Sequence, residues 1–131
     1  MDALMKIGEV ADRVGLSLRT IRFYEEGGLI TPDARSTGGF RLYSEVTVER
    51  LELIKSLKPL DFSVEEIADI LALLDRLGSS DGRPDDTALA LEELDGVRGV
   101  VEERLTLLQE RAERARDLAR LLDDVRARHE G

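Results

Sequence analysis

At 131 residues, 36% of them charged and only 4% aromatic, the chain suffices for one modest core and an appendage, with burial left to Leu, Val, Ile and Ala. It has no Cys and a single His, His129, which rules out disulfides, thiolate metal sites, iron–sulfur clusters and His-rich metal sites. A formal net charge of −9 argues, as an average, against a polyanionic partner.

Met1 to Leu4 read as a frayed lead-in, and Met5 serves equally well as a start. Ile7, Val10, Ala11 and Val14 recur with the spacing of one helical stripe, and Gly15 supplies a left-handed stop. Ser17 is placed to cap a second helix with Ile21 as its inward anchor. Arg19, Thr20, Arg22 and Tyr24 are left on the outer and flanking faces, while Phe23 is assigned to the core. Gly27-Gly28 ends this helix and Pro32 prevents its continuation. Gly38-Gly39 followed by alternating Phe40, Arg41, Leu42 and Tyr43 predicts a hairpin, with Phe40 and Leu42 inward and Arg41 and Tyr43 on the other face. A hairpin this short must pack on the helices, as a wing does.

Ser44 is expected to cap a third helix over 45–59, with Leu51, Ile54 and Leu57 inward and Lys55 and Lys58 more exposed. Ser63-Val64-Glu65-Glu66 is a capping box that opens a fourth helix reaching about Leu77. Its apolar residues fall on two faces, so it is expected to sit between two partners. Residues 78–86 read as a linker. A last helix, capped by Asp85, Asp86 and Thr87 and weakened by Gly96 and Gly99, runs to about Arg128. Val101, Leu105, Leu108, Ala112, Ala115, Ala119 and Leu122 recur along it at alternating spacings of four and three. Leu107, Leu118, Leu121 and Val125 flank that stripe. One small domain cannot bury it, which predicts pairing with a second copy of the chain. The expected organisation is an all-α protein: a winged helix-turn-helix domain (1–77) with a small β-hairpin wing, a linker (78–86) and a long dimerisation helix (87–131).

The charge is unevenly spread. Residues 1–60 carry nine Lys/Arg against nine Asp/Glu, whereas residues 61–131 carry ten Arg against 19 Asp/Glu and supply the entire excess. Guanidinium groups suit phosphate oxygens and guanine edges, and Thr and Tyr hydroxyls take single phosphate bonds. Arg19, Thr20, Arg22 and Tyr24 between a helix–turn and a wing therefore read as a double-stranded DNA-facing set. The paired carboxylates Asp85-Asp86, Glu92-Glu93, Glu102-Glu103 and Asp123-Asp124 read as solvated faces and caps. No catalytic triad, phosphate-cradling loop or calcium loop is present, so neither an enzyme nor a cofactor or metal site is expected. No run of about 18 apolar residues occurs and the N-terminal stretch lacks a signal peptide's build, which points to a cytoplasmic protein without membrane contact.

The stretch also resembles the MerR family of bacterial transcription regulators. The resemblance is carried by Ile7-Gly8-Glu9-Val10-Ala11, Gly15-Leu16-Ser17, Thr20-Ile21-Arg22-Phe23-Tyr24-Glu25, Gly28-Leu29-Ile30 with Pro32, Gly39-Phe40-Arg41-Leu42-Tyr43 and Phe62-Ser63-Val64-Glu65-Glu66-Ile67. It implies a homodimer joined by an antiparallel coiled coil of the last helices. It also implies DNA contacts from Ser17, Arg19, Thr20, Arg22, Tyr24, Arg35, Arg41 and Tyr43, with Lys55 and Lys58 as further candidates. Family members commonly bind a palindrome within a promoter and distort it so that RNA polymerase can engage both promoter elements. The alternative is an architectural DNA-bending or recombination accessory protein that works without a ligand; a third reading is a protein-interaction module. Two departures stand out. Asp61 occupies the place where the family usually carries Gly before Phe62-Ser63, which is expected to stiffen or tilt the hinge. The family's cysteine-based or C-terminal sensor has no counterpart here, so no effector is legible.

Overall fold

The computed structural model describes residues 3–79 and 84–130. In chain order the elements are β1 (Met5–Lys6), α1 (Ile7–Val14), α2 (Leu18–Glu26), β2 (Ala34–Arg35), β3 (Arg41–Tyr43), α3 (Glu45–Leu57), a 3-10 turn (Lys58–Leu60), α4 (Val64–Gly78) and α5 (Pro84–Glu130). The chain divides into two compact units, Met1–Ala90 and Leu91–Gly131.

The helix limits of the first unit follow from local chemistry. Gly15 stops α1 in the left-handed conformation (φ 69°) and donates its N–H to the Ala11 carbonyl. Ser17 caps α2 by accepting the Thr20 N–H at 3.1 Å. The expected capping box of α4 is complete: Glu66 N–H donates to Ser63 Oγ (3.1 Å) and Ser63 N–H donates to Glu66 Oε1 (3.0 Å). α1 packs on α2 and α3, and α3 on α4. Val10, Val14, Ile21, Leu29, Ile30, Leu51, Ile54 and Ile67 form a core closed to solvent. Each such side chain contributes roughly 1.5–3 kcal/mol relative to exposure. α4 buries Ile67, Ile70, Leu71 and Leu73, while Val64, Leu74 and Leu77 are half-buried.

The sheet is larger than the expected hairpin. Met5 and Lys6, just after the expected lead-in, add a third strand, giving the order β1-β3-β2 with both pairs antiparallel. Met5 stands opposite Tyr43, and Arg35 opposite Arg41. Strand alternation holds, but its inward face is the reverse of the one expected. Tyr43 is fully buried, whereas Phe40 is 61% exposed and Leu42 half-buried. Tyr43 and Arg41 share the face turned towards α2, because a hydrogen-bond acceptor waits there in Glu25. Lys6, Phe40 and Leu42 share the other face, with the Lys6 ammonium 5.1 Å from the Phe40 ring centre.

Three further expectations are corrected. Tyr24 is buried and Phe23 is exposed, because Tyr24 falls one helical step after Ile21 on the core stripe and Phe23 does not. α3 ends at Leu57, and Lys58–Leu60 tighten into a 3-10 turn around Pro59. Ser44 occupies the N-cap position of α3 but its hydroxyl caps nothing; that oxygen is buried without a hydrogen-bond partner. The cap comes instead from Asp33, whose Oδ2 accepts from Ser44 N–H (2.8 Å) and the Thr47 hydroxyl (3.3 Å). Asp61 takes φ 63°, the only positive φ at a non-glycine among the described residues. A non-glycine residue held in this left-handed conformation costs about 1–2 kcal/mol.

Gly78 closes α4, Ser79 follows it in an extended conformation, and helix resumes at Pro84. Residues 80–83 of the expected linker lie outside the described residues. The first unit reaches Ala90, which is buried within it. The second unit is helical throughout its described length, and the glycines at 96 and 99 do not interrupt it. Within it Val101, Leu108 and Ala112 are half-buried, and Leu105, Ala115, Ala119 and Leu122 are exposed. Leu107, Leu118, Leu121 and Val125 are exposed beside them.

The Asp33 cap reverses the usual expectation for a serine at an N-cap. Ser44→Ala should change stability by less than about 0.5 kcal/mol, whereas Asp33→Ala should cost about 1–2 kcal/mol. Urea unfolding of the two variants, compared with the parent chain, measures both.

Candidate nucleic-acid interface

Four cations of the first unit, Lys6, Arg22, Arg35 and Arg41, line one cleft. α2 holds Arg19 and Arg22 exposed on the face opposite Ile21. The β2–β3 hairpin brings up Arg35 and Arg41, paired directly across it. Arg22, Arg35, Arg41 and Lys6 line a cleft of about 750 Å³ together with Phe40 and the start of α1, whose Glu9 is the carboxylate in that lining. Four cations around one cleft make a positive surface in a segment that is neutral in sum.

Several side chains at this surface are placed by local devices. Ser17 Oγ and Thr20 Oγ1 share a hydrogen bond of 2.8 Å on top of the cap, so the two hydroxyls are tied to each other at the start of α2. Arg35 donates to the Gly39 carbonyl at 3.2 Å, bracing the wing tip. The tip itself is a turn closed by Gly39 N–H to the Ser36 carbonyl, with Gly39 at φ 83°. Arg41 Nη1 lies 3.2 Å from Glu25 Oε2. The Tyr43 hydroxyl donates to Glu25 Oε1 at 2.6 Å.

The remaining expected contact residues stand differently. Tyr24 and Tyr43 are 6% and 0% exposed, so both rings support the surface from beneath. Lys55 Nζ donates to the Val14 carbonyl at 2.8 Å, completing the C-terminus of α1 with a cation where the helix dipole favours one. Lys58 is exposed at the 3-10 turn, away from the lining of the cleft.

Sequence reasoning missed Phe23, 56% exposed between Arg22 and Tyr24, although counting from Ile21 places it off the core stripe. It also missed Arg50. That guanidinium donates to the Leu29 carbonyl through Nε (3.3 Å) and Nη2 (3.2 Å), and to Asp75 through Nη1 (2.7 Å). Nothing in the local sequence around Arg50 signals this, because its partners lie 21 and 25 residues away. Among the described residues no group of three His, Cys, Asp or Glu is placed to hold a metal ion. No described helix is long and apolar enough to cross a membrane.

The same stretch of chain matches known proteins. Residues 5–74 match the family model described as MerR HTH family regulatory protein. The mercuric resistance operon regulatory protein of Bacillus cereus is 45% identical over 71 residues, covering 54% of each chain. The HTH-type transcriptional regulator YfmP of Bacillus subtilis is 56% identical over 64 residues, 48% of this chain and 46% of that protein. The chain thus spans about half the length of the curated relatives it matches. Among solved structures, a transcription regulator from Ralstonia metallidurans in complex with lead(II) is 33% identical, with a TM-score of 0.56, covering 93% of this chain and 85% of that one.

Burial and the Glu25 carboxylate push the Tyr43 phenol up to about 12, the burial acting more strongly, and burial alone raises Tyr24. A phenol whose folded pKa is raised stabilises the fold fully below about pH 10, its unfolded value, and loses that contribution as pH climbs through about 12. The parent chain should therefore lose stability over that interval more steeply than Tyr43→Phe. Chemical unfolding at pH 9, 10 and 11 tests it, with parallel profiles for the two proteins as the contrary result.

Proposed function

This chain belongs to the MerR family of regulatory proteins, and from that premise we propose that it is a sequence-specific transcription regulator acting as a homodimer on a palindromic promoter operator. The observation that supports this most directly is the shared cleft of Arg22, Arg35 and Arg41, with Arg19 exposed on the same helix. In this reading α2 enters the major groove and the hairpin clamps the flanking backbone. Ser17, Arg19, Thr20, Arg22, Arg35 and Arg41 supply the contacts, with Lys55 and Lys58 towards the periphery. Tyr24 and Tyr43 act from behind, by fixing α2 and β3.

A single copy with no net charge over residues 1–60 has weak long-range attraction for DNA. Two copies at a fixed separation gain affinity and half-site spacing together. The stripe Val101, Leu105, Leu108, Ala112, Ala115, Ala119 and Leu122 is the proposed seam, pairing antiparallel with a second copy. It fits because a helix that leaves Leu105, Leu118, Leu121 and Leu122 about half exposed has apolar surface to bury. The organisation that follows is a DNA-reading module over 1–77, a connection over 78–86 and a dimerisation helix from 87 onward. Distorting the promoter costs a few kcal/mol, which phosphate contacts from two modules offset, and the distorted spacer is what RNA polymerase would then engage.

Of the named relatives, one is a mercuric resistance operon regulatory protein and one was crystallised in complex with lead(II). Soft metals of that kind call for thiolate ligands, and these 131 residues contain no Cys. The DNA-binding step proposed here is accordingly independent of thiolate metal capture.

Fluorescence anisotropy on a promoter fragment, repeated across a salt series, tests the reading. Affinity should fall steeply with salt, and Arg22→Ala should weaken it about tenfold with an unchanged melting curve. Salt-independent binding, or no effect of Arg22→Ala together with Arg41→Ala, would rule out the proposed orientation. Replacing Leu108 and Leu122 by Asp should give monomers in sedimentation equilibrium; a persisting dimer would place the seam elsewhere. Treatment with a metal chelator should leave DNA affinity as it was.

A further inference from the structure

Glu25 sits inside the positive cleft's supporting wall, and its placement carries an inference that rests on the DNA-binding reading above. A carboxylate on a DNA-facing helix should repel phosphates, yet this one is 11% exposed and both of its oxygens are engaged by the wing. Oε1 accepts the Tyr43 hydroxyl at 2.6 Å, and Oε2 lies 3.2 Å from Arg41 Nη1. We propose that Glu25 is the positioning residue of the interface: it locks Arg41 of the wing at a set distance from Arg19 and Arg22 of α2, so that helix and wing meet DNA as one rigid reader.

The surroundings of Arg41 bear on this. Arg41 keeps a side chain 45% exposed, so one nitrogen faces Glu25 while the remaining guanidinium donors stay open to a phosphate. Arg41 stands directly across the hairpin from Arg35, and Arg22 lies near enough to Tyr43 to oppose the rise in its pKa. A buried negative charge at this point offsets the mutual repulsion of these three cations. Side-chain freedom that an untethered arginine would lose on binding has already been lost in the free protein.

Because neutralising Glu25 also removes a repulsion felt by any bound DNA, the affinity of a single variant does not decide the matter. A double-mutant cycle does. Arg41→Ala is measured in the parent and in Glu25→Gln, which keeps the shape and an acceptor for Tyr43 but loses the charge. If Glu25 positions Arg41, Arg41→Ala weakens binding about tenfold in the parent and less than about threefold beside Glu25→Gln. Equal losses in the two backgrounds would overturn the proposal, since the two residues would then act independently. Thermal melts confirm that each variant is folded, and a merely structural Glu25 would move those melts without changing the Arg41 increment. Tyr43→Phe repeats the cycle should Glu25→Gln unfold: it removes the bond that orients the carboxylate, and an undiminished Arg41→Ala loss there is the same refutation. Absence of salt-dependent binding by the parent chain would instead bring down the underlying DNA-binding reading, so the two failures are separable.

Discussion

Strands of two and three residues have almost no cohesion of their own, and everything the wing does depends on how it is tied down. The tie is the ring of Tyr43, driven into the core with Met5 opposite it and its hydroxyl satisfied by Glu25. Burying a phenol without a partner for its oxygen would cost free energy comparable to a lost hydrogen bond. The Glu25 carboxylate removes that penalty and, with its second oxygen, reaches Arg41. One buried polar contact thereby sets the sheet on the helices and aims a cation at the surface.

Charge is handled in the same economical way across the chain. The first 60 residues are neutral in sum, yet four of their nine cations line one cleft while Glu25 is turned inwards and Asp33 is occupied at the start of α3. The acidic excess lies after residue 60, much of it on a helix whose Arg and acidic residues pair along the solvent, as Arg98 with Glu102 and Arg126 with Glu130 do. Such exposed pairs add little to stability. The net negative charge of that helix favours solubility.

What the sequence revealed and concealed follows a physical line. Gly15, Ser17 and the Ser63–Glu66 box were legible because capping is decided within a few residues. Ile21 and Leu51 were legible because helical periodicity is strong. The wing was legible as a hairpin but not in its facing. Alternation gives the parity of a strand and leaves its sign to whatever lies beneath, and that is Glu25, 18 residues before Tyr43. The cap of α3 failed for the same reason: Ser44 has the right identity and position, but Asp33, 11 residues earlier, took the role. The helix from Pro84 carries an apolar stripe that its own chain leaves largely exposed, so periodicity there sets a helical face without naming what covers it.

The Arg50 clamp behaves as two joints of different character. Its grip on the Leu29 carbonyl lies at a residue closed to solvent, just beyond the end of α2, whereas its grip on Asp75 of α4 is through a side chain 62% exposed. Screening by salt acts on the second and barely on the first. As ionic strength rises, the Asp75 contact weakens while the Leu29 contact persists, and α4 stays held by its buried Ile67, Ile70, Leu71 and Leu73. Ionic strength therefore tunes the polar link between α3 and α4 without touching the one between α3 and the segment that follows α2.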